Sequence, residues 1–248
     1  MSFRTRLSAA AVGALIAVGA VALPANAATT SNTTSNAAAD NPAALTKAKT
    51  AVTDGITDRL TTLGKLQTAL AGYKDVPDAA RSTLSQVISS DVSGLTALKT
   101  KVAGETTAAA VRADGKAMVD DYRVYVLVAP KVHLTHALDV ETAALARLVK
   151  VHDALADRLA KDPAADTAAN KDLLADMTTV IQAADARIDG KDAALLALTP
   201  GPDGKALTAS VKDVSGAAKD ARDDIKKAVT DAKTVRDALK NAPKAANG

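Results

Sequence analysis

Three side chains that can bind a metal ion lie close together in the middle of the chain: His133, His136 and Asp139. At steps of three residues they spread over about 120° of a helix and could share one face. Imidazole and carboxylate groups at this spacing are possible zinc ligands. The run His-Leu-Thr-His is not the His-Glu-x-x-His of metalloproteases, and no third strong ligand follows at helical spacing. We therefore expect surface or capping histidines, with no metal and no cofactor.

A second pair that could do chemistry is Glu141 and His152, which occupy positions otherwise filled by leucine. They are 11 residues apart and share a face, but about 16 Å of helix separates them, which is too far for a direct acid/base pair. We interpret them as polar residues that fix the helix register. The acidic pairs Asp120-Asp121 and Asp223-Asp224 point about 100° apart within each pair and indicate solvated faces. No serine has a Gly-x-Ser-x-Gly context, so the sequence predicts no enzyme.

The composition excludes several classes of function. The 248 residues include 58 alanines, no cysteine and no tryptophan, and the aromatic residues are one phenylalanine and three tyrosines. Disulfides, thiolate nucleophiles and thiolate metal sites are therefore absent, and base-stacking surfaces are not expected. There are 31 basic and 28 acidic side chains. This balance is not the basic clustering of a nucleic-acid-binding protein.

The first 27 residues have the pattern of a secretory signal peptide. Arg4 and Arg6 precede an uncharged apolar run, Ala9–Leu23, and Ala25-Asn26-Ala27 supplies a cleavage site after Ala27. The apolar run is shorter than the roughly 20 residues that span a bilayer. We expect a secreted protein, either free outside the cell or associated with the cell envelope, without strong membrane binding after the signal is removed. Residues 28–42 are predicted to be a flexible leader and residues 241–248 a flexible tail.

From Pro42 to about Leu239, large apolar residues recur at steps of three and four, which is typical of amphipathic helices. Breaks are predicted at five places: Val76-Pro77, Gly104, Pro130, Asp162-Pro163 and Thr199–Pro202. The fold class is therefore all-α, an elongated antiparallel bundle of about six long helices. Two divisions remain open. One has two three-helix units, residues 43–129 and 130–240, joined near Pro130; the other is a single longer bundle whose third and fourth helices are almost continuous.

The stretch 122–129 differs from the rest of the chain because it is apolar on every side of a helix. Such a helix must be enclosed or must expose a patch. Enclosure at the junction between the two units is one outcome. The other is a site for a partner, in which the tyrosines act as anchors. The possible partner-binding residues are Tyr122, Tyr125, Val126 and Val128.

The run Asp121-Tyr122-Arg123-Val124-Tyr125-Val126-Leu127-Val128-Ala129-Pro130-Lys131-Val132-His133-Leu134 resembles a segment of uncharacterised secreted all-helical proteins of actinobacteria. The resemblance covers about 20 residues. It implies export and an all-helical fold, and it brings no activity, cofactor or catalytic residue.

These observations predict a secreted, non-enzymatic helical bundle that acts as an extracellular or cell-envelope spacer or binding module, with an unknown protein or envelope component as partner. The first alternative is a lipid-surface binder that uses amphipathic helices, against which the lack of Trp and Phe in the apolar faces argues. The second alternative is a metal-dependent enzyme that uses His133 and His136.

Overall fold

The computed structural model describes residues 41–243 of the chain. These residues form seven α-helices and one turn of π-helix. Within this range there is no β-strand. The predicted signal peptide, all but the end of the predicted leader, and residues 244–248 of the predicted tail lie outside it. The helices are α1 (Pro42–Gly72), α2 (Asp78–Gly104), α3 (Ala108–Tyr122), α4 (Ala129–Leu159), α5 (Ala168–Ile188), α6 (Lys191–Ala197) and α7 (Gly204–Asn241).

The all-α class is confirmed, with five long helices rather than about six. The predicted third helix has only 15 residues, and the predicted fifth helix is divided at Asp189-Gly190 into α5 and α6. Gly190 has a φ of +69°, a left-handed conformation that glycine adopts without a steric penalty. In residues 41–243 no helix is both long and apolar enough to cross a bilayer.

Short polar side chains begin four of the helices. The side chains of Asn41, Thr107, Thr167 and Asp203 each accept a hydrogen bond from a backbone N–H of the first helical turn, at 2.9–3.3 Å. This capping satisfies donors that have no partner within the helix. The predicted starts near Pro42 and Pro77 and the predicted end at Gly104 agree with α1 and α2.

The break between the third and fourth helices lies at Arg123, and the prediction that Pro130 interrupts the third helix is wrong. Arg123 is left-handed, with φ +43° and ψ +38°, and the π-helical turn Val124–Val128 leads directly into α4. Proline has no N–H and its ring conflicts with the carbonyl four residues earlier. The wider turn before Pro130, in which the Ala129 N–H bonds to the Val124 carbonyl, accommodates the ring within a continuous helical path.

The buried apolar residues form two clusters. One cluster comes from α1, α2, α3, the π-helical turn and the first turn of α4, and it includes Ile56, Leu84 and Val111. The other comes from the rest of α4 with α5, α6 and α7, and it includes Leu145, Met177 and Val235. These clusters lie on either side of the predicted boundary near Pro130, while the division into two separate units stays a prediction.

Helix α7 buries a face made mostly of small residues. Its buried positions are Val214, Ala218, Ala221, Ala228, Asp231, Ala232, Val235 and Leu239. The repeat of large apolar residues at steps of three and four predicts that Val229 lies on the apolar face of α7. The structure instead buries Ala228 completely and leaves Val229 51% exposed. Ile225, one turn earlier, is half-buried. The reason is close packing on α5, which an alanine at this position permits.

The directions of three helices determine the shape of the C-terminal half. Arg187 of α5 bonds to Asp224 of α7, and Asp176, earlier in α5, pairs with Lys227, later in α7. Helices α5 and α7 are therefore antiparallel. Helices α4 and α5 are joined by a short connection, so they are antiparallel as well. Because α4 and α7 are both antiparallel to α5, they run parallel to each other. Glu141 pairs with Arg222, and residues later in α4 line a common groove with residues later in α7, which agrees with this direction.

Candidate functional site

The two histidines of the proposed metal alternative are held by a tyrosine. The Tyr73 hydroxyl is 2.8 Å from His133 Nδ1, and the Tyr73 ring stacks on His136 with centroids 3.8 Å apart and planes 7° from parallel. Tyr73 is the C-terminal cap residue of α1, so these contacts join α1 to the start of α4. In residues 41–243 no group of three His, Asp or Glu side chains has the geometry to hold a metal ion.

Asp139, the third residue of that candidate set, lies among other carboxylates. Burial raises its pKa to about 6, and repulsion from Asp192 and then Asp75 adds to the shift. Burial also raises the pKa of Asp192. The Asp139 Oδ2 atom and His136 Nδ1 are enclosed without a hydrogen-bond partner. The structure therefore places His133 and His136 against Tyr73, as contacts between α1 and α4, and places Asp139 near the carboxylates of Asp192 and Asp75.

Lys131 and Asp91 are buried charged residues that the sequence did not reveal. Lys131 is 4% exposed, and its amine donates to the carbonyls of Leu196 at 2.9 Å and Leu198 at 2.5 Å, at the end of α6. Burial raises the pKa of Asp91 to about 7, and the positive charge of Lys131 opposes this shift. The sequence pattern around Lys131 and Asp91 gives no sign that they are buried. Their burial comes from the packing of α2, α4 and α6 against one another, which local spacing does not reveal.

The stretch proposed as a partner site is mostly enclosed. Val128 is 1% exposed and lies in the core, so it offers no surface to a partner; Val124 and Leu127 are buried with it. Tyr122 and Val126 are half-buried. Tyr125 is 49% exposed and lies under the Arg59 guanidinium, 5.1 Å from the ring centroid.

The recess beside Tyr125 has a volume of about 40 Å³. It is far smaller than the groove between α4 and α7, so little of this stretch besides the Tyr125 ring is open to a partner. Arg123 explains part of the enclosure. Its side chain donates to the carbonyls of Gly201 and Pro202, each at 2.8 Å, and so holds the loop before α7 against the junction.

The two polar residues in the leucine positions of α4 bond to different helices. Glu141 is 3% exposed and accepts a hydrogen bond of 2.8 Å from Arg222 of α7. His152 Nε2 lies 3.0 Å from the Thr178 hydroxyl of α5. Burial raises the pKa of Glu141 despite the opposing charge of Arg222. These contacts agree with the interpretation that both residues fix how α4 packs on its neighbours.

An open apolar groove runs between the parallel helices α4 and α7. We call it the α4–α7 groove, and its volume is about 320 Å³. It is lined by Leu148, Val151 and Leu155 of α4 and by Val229, Ala232, Lys233 and Arg236 of α7. Val151 is 42% exposed and Val229 is 51% exposed, although leucines and an alanine beneath them are buried. The groove is therefore an apolar surface that these helices leave uncovered.

Cations border the groove on both sides. Arg147 and Arg158 lie four residues before and seven after Val151, which places them on its side of α4. Lys233 and Arg236 line the groove from α7. No ion pair within residues 41–243 involves Arg147, Arg158 or Lys233, and Arg236 pairs only with its neighbour Asp237. No acidic side chain among the described residues lines the groove.

The sequence analysis missed this groove, although a signal for it is present in α7. Viewed down the helix, Asp220, Asp224 and Asp231 fall on one side of the buried face, and Arg222, Lys233 and Arg236 fall on the other. The acidic side faces α5, where Arg187 pairs with Asp224. The basic side faces the groove.

No protein-family model matches this chain, and neither a curated protein nor a solved structure shows significant similarity to it.

Proposed function

We propose that this protein is an exported, non-enzymatic helical bundle that acts as a binding module or spacer outside the cell or in the cell envelope. The α4–α7 groove is the observation that carries the proposal, because it combines an uncovered apolar surface with bordering cations, of which Arg147, Arg158 and Lys233 form no ion pair among the described residues. Contiguous apolar surfaces with polar borders are typical of interaction sites.

The signal-like residues 1–27 and the resemblance to secreted actinobacterial proteins support export. The site residues support binding rather than catalysis. The acidic and histidine side chains that were candidates for catalysis make contacts between helices: Glu141 with Arg222, His152 with Thr178, and His133 with Tyr73.

A titration of the mature protein, residues 28–248, onto isolated envelopes of the producing cell tests this proposal. We expect saturable binding that weakens with salt, because cations border the groove. Binding should fall when Val151→Glu places an acid in the groove. Val149→Glu is the matched control, since Val149 is 39% exposed on the same helix but on another side.

Mass spectrometry of the culture supernatant and envelope fraction checks export, with Ala28 as the expected first residue. Absence of saturable envelope binding, or recovery of the protein only inside the cell with residues 1–27 attached, would contradict the proposed function.

A further inference from the structure

We infer that the α4–α7 groove binds one amphipathic helix of a partner protein, with small apolar residues along its contact face and acidic residues along both edges. This inference rests on the proposed function and names the class of partner. The bound helix would pack beside α4 and α7 and complete a four-helix arrangement with α5.

The shape of the groove selects a helix. Two parallel helices leave a straight trough between them, and a third helix fills such a trough by inserting its side-chain ridges at an interaxial distance of about 8–10 Å. The cations Arg147 and Arg158 are 11 residues apart on α4, so the bordered length is about 16 Å, or three helical turns. The occupant is therefore a short helical segment.

The lining selects small apolar residues in the occupant. The buried residues beneath the groove, Leu148, Leu155 and Ala232, are recessed, and Val151 and Val229 stand at its two sides. No aromatic side chain from residues 41–243 lines it. Alanine, valine and leucine side chains can reach the recessed residues between the two valines, whereas a flat bilayer surface would meet only the tips of the valines.

The charges select an acidic edge on each side. The groove has Arg147 and Arg158 on one border and Lys233 and Arg236 on the other, with no acidic side chain among the described lining residues. A helix that carries glutamates at both edges of its apolar face would pair with both borders. The neighbouring contact of α7 with α5 shows the same principle within the chain, because acidic and basic residues pair across it.

The same charges argue against a second copy of this chain as the occupant. A twofold dimer places the same surface patch on both subunits, so two of these grooves would bring cations against cations. Like charges at a contact oppose association.

Synthetic helical peptides of 18 residues test the inference. One peptide carries an alanine-leucine contact face with glutamate at both edges, and its control carries lysine at the same positions. Isothermal titration with mature protein should show binding of the glutamate peptide, in the micromolar range because a three-turn contact is small. Binding of the lysine peptide should be at least tenfold weaker. Equal binding of the two peptides overturns the inference.

Variants of the protein localise the contact. Val151→Glu should weaken binding of the glutamate peptide at least tenfold, while Val149→Glu should bind like the unchanged protein. The double variant Arg147→Glu/Lys233→Glu changes only exposed side chains. It should abolish the preference, so that the two peptides bind about equally, because two cations and two carboxylates then border the groove, whereas exposed Lys150→Glu should leave the preference unchanged. Circular dichroism confirms that each variant is folded. An unaltered preference in the double variant overturns the inference.

Two other results also overturn it. One is binding to vesicles of phosphatidylglycerol without binding to the glutamate peptide, which would make a lipid surface the occupant. The other is a dimer that Val151→Glu dissociates, without peptide binding. Saturable envelope binding that persists alongside either result would leave the proposed function standing and remove only the helical partner. Loss of envelope binding while the glutamate peptide still binds would contradict the proposed function and leave the helical partner standing.

Discussion

Helix α7 makes two contacts that differ in how they treat charge and space. Towards α5 it packs closely through small residues such as Ala221 and Ala228, both fully buried, and ion pairs join Arg187 to Asp224 and Lys227 to Asp176. Towards α4 it leaves a groove. There Val229 is half exposed, and Lys233 has no ion-pair partner among the described residues. The comparison shows that other helices of the chain cover the α5 side of α7, whereas the groove side of α7 is left exposed.

The Glu141–Arg222 pair is the exception on the open side. It joins α4 to α7, with the Glu141 carboxylate buried and Arg222 half exposed. This pair holds the two helices together without filling the groove. The open contact therefore has a fixed geometry although it lacks the close packing of the α5–α7 contact.

The largest expected difference between the two contacts comes from removing apolar volume. Met177 of α5 is fully buried. Met177→Ala should lower the free energy of unfolding by about 2–5 kcal/mol, because a cavity remains in the core. Val229→Ala in the groove should lower the free energy of unfolding by less than about 0.5 kcal/mol, since about half of this side chain is already exposed to water. Urea unfolding of both variants measures the difference. Similar losses would show that the groove is closed in solution.

Adding volume should separate the contacts next. Ala228→Leu places three extra carbons where α5 and α7 touch, and should cost about 1–3 kcal/mol of stability through overpacking. Val229→Leu, one residue further and half exposed, should change stability by no more than about 0.5 kcal/mol. Thermal unfolding followed by circular dichroism checks both. A melting temperature unchanged by Ala228→Leu would contradict the close contact described here.

The Glu141–Arg222 pair should make stability depend on pH. Burial raises the pKa of Glu141 above its usual 4.5, so the folded protein holds this proton more tightly than the unfolded chain does. The contribution to stability is therefore full below about pH 4.5 and is lost as pH rises through the folded pKa, by at most about 1.4 kcal/mol per pH unit. Urea unfolding between pH 4 and 8 should show a shallower decline for Glu141→Gln. An unchanged slope would assign the pH dependence to Asp91 and Asp139, whose pKa values are also raised.

The smallest expected effect concerns the exposed ion pairs. Arg187→Ala breaks the pair with Asp224 on the α5 side and should lower the stability only slightly, and less in high salt, because exposed ion pairs are weak and screened. Lys233→Ala removes a groove cation that has no such pair, and it should leave stability unchanged. Unfolding at low and high salt gives both values. A salt-dependent loss in Lys233→Ala would reveal a partner for this lysine that the open groove does not show.

The sequence predicted helix positions well where a local signal existed. Asn41-Pro42, Pro77 and Gly104 stand at helix boundaries in the structure because caps, fixed proline angles and glycine act within one turn of the chain. The break at Arg123 was missed because its left-handed conformation has no local signal in a residue with a long side chain. Its guanidinium bonds to the distant loop at Gly201 and Pro202, which stabilises this conformation.

The candidate site also has features with a local sequence signal and features that distant residues determine. The sequence predicted Tyr125 and Val128 together as possible partner-binding residues. Tyr125 is exposed, but the burial of Val128 and the small size of the adjacent recess depend on chain segments far away in sequence. In α7 the prediction that Val229 is buried was wrong: it followed the larger apolar side chain, although Ala228 also fits a repeat of three and four residues. The close approach of α5 decided for the smaller side chain.

The sequence by itself determined that the described chain is helical, where most of its helices begin and end, and which broad face of each is apolar. These properties follow from propensity, capping and periodicity, which act over a few residues. Tertiary structure alone decided that Lys131 and Asp91 are buried, that His133 and His136 contact Tyr73, and that a groove stays open between α4 and α7. Each of these depends on the distance between helices, which is set by side chains on both partners together.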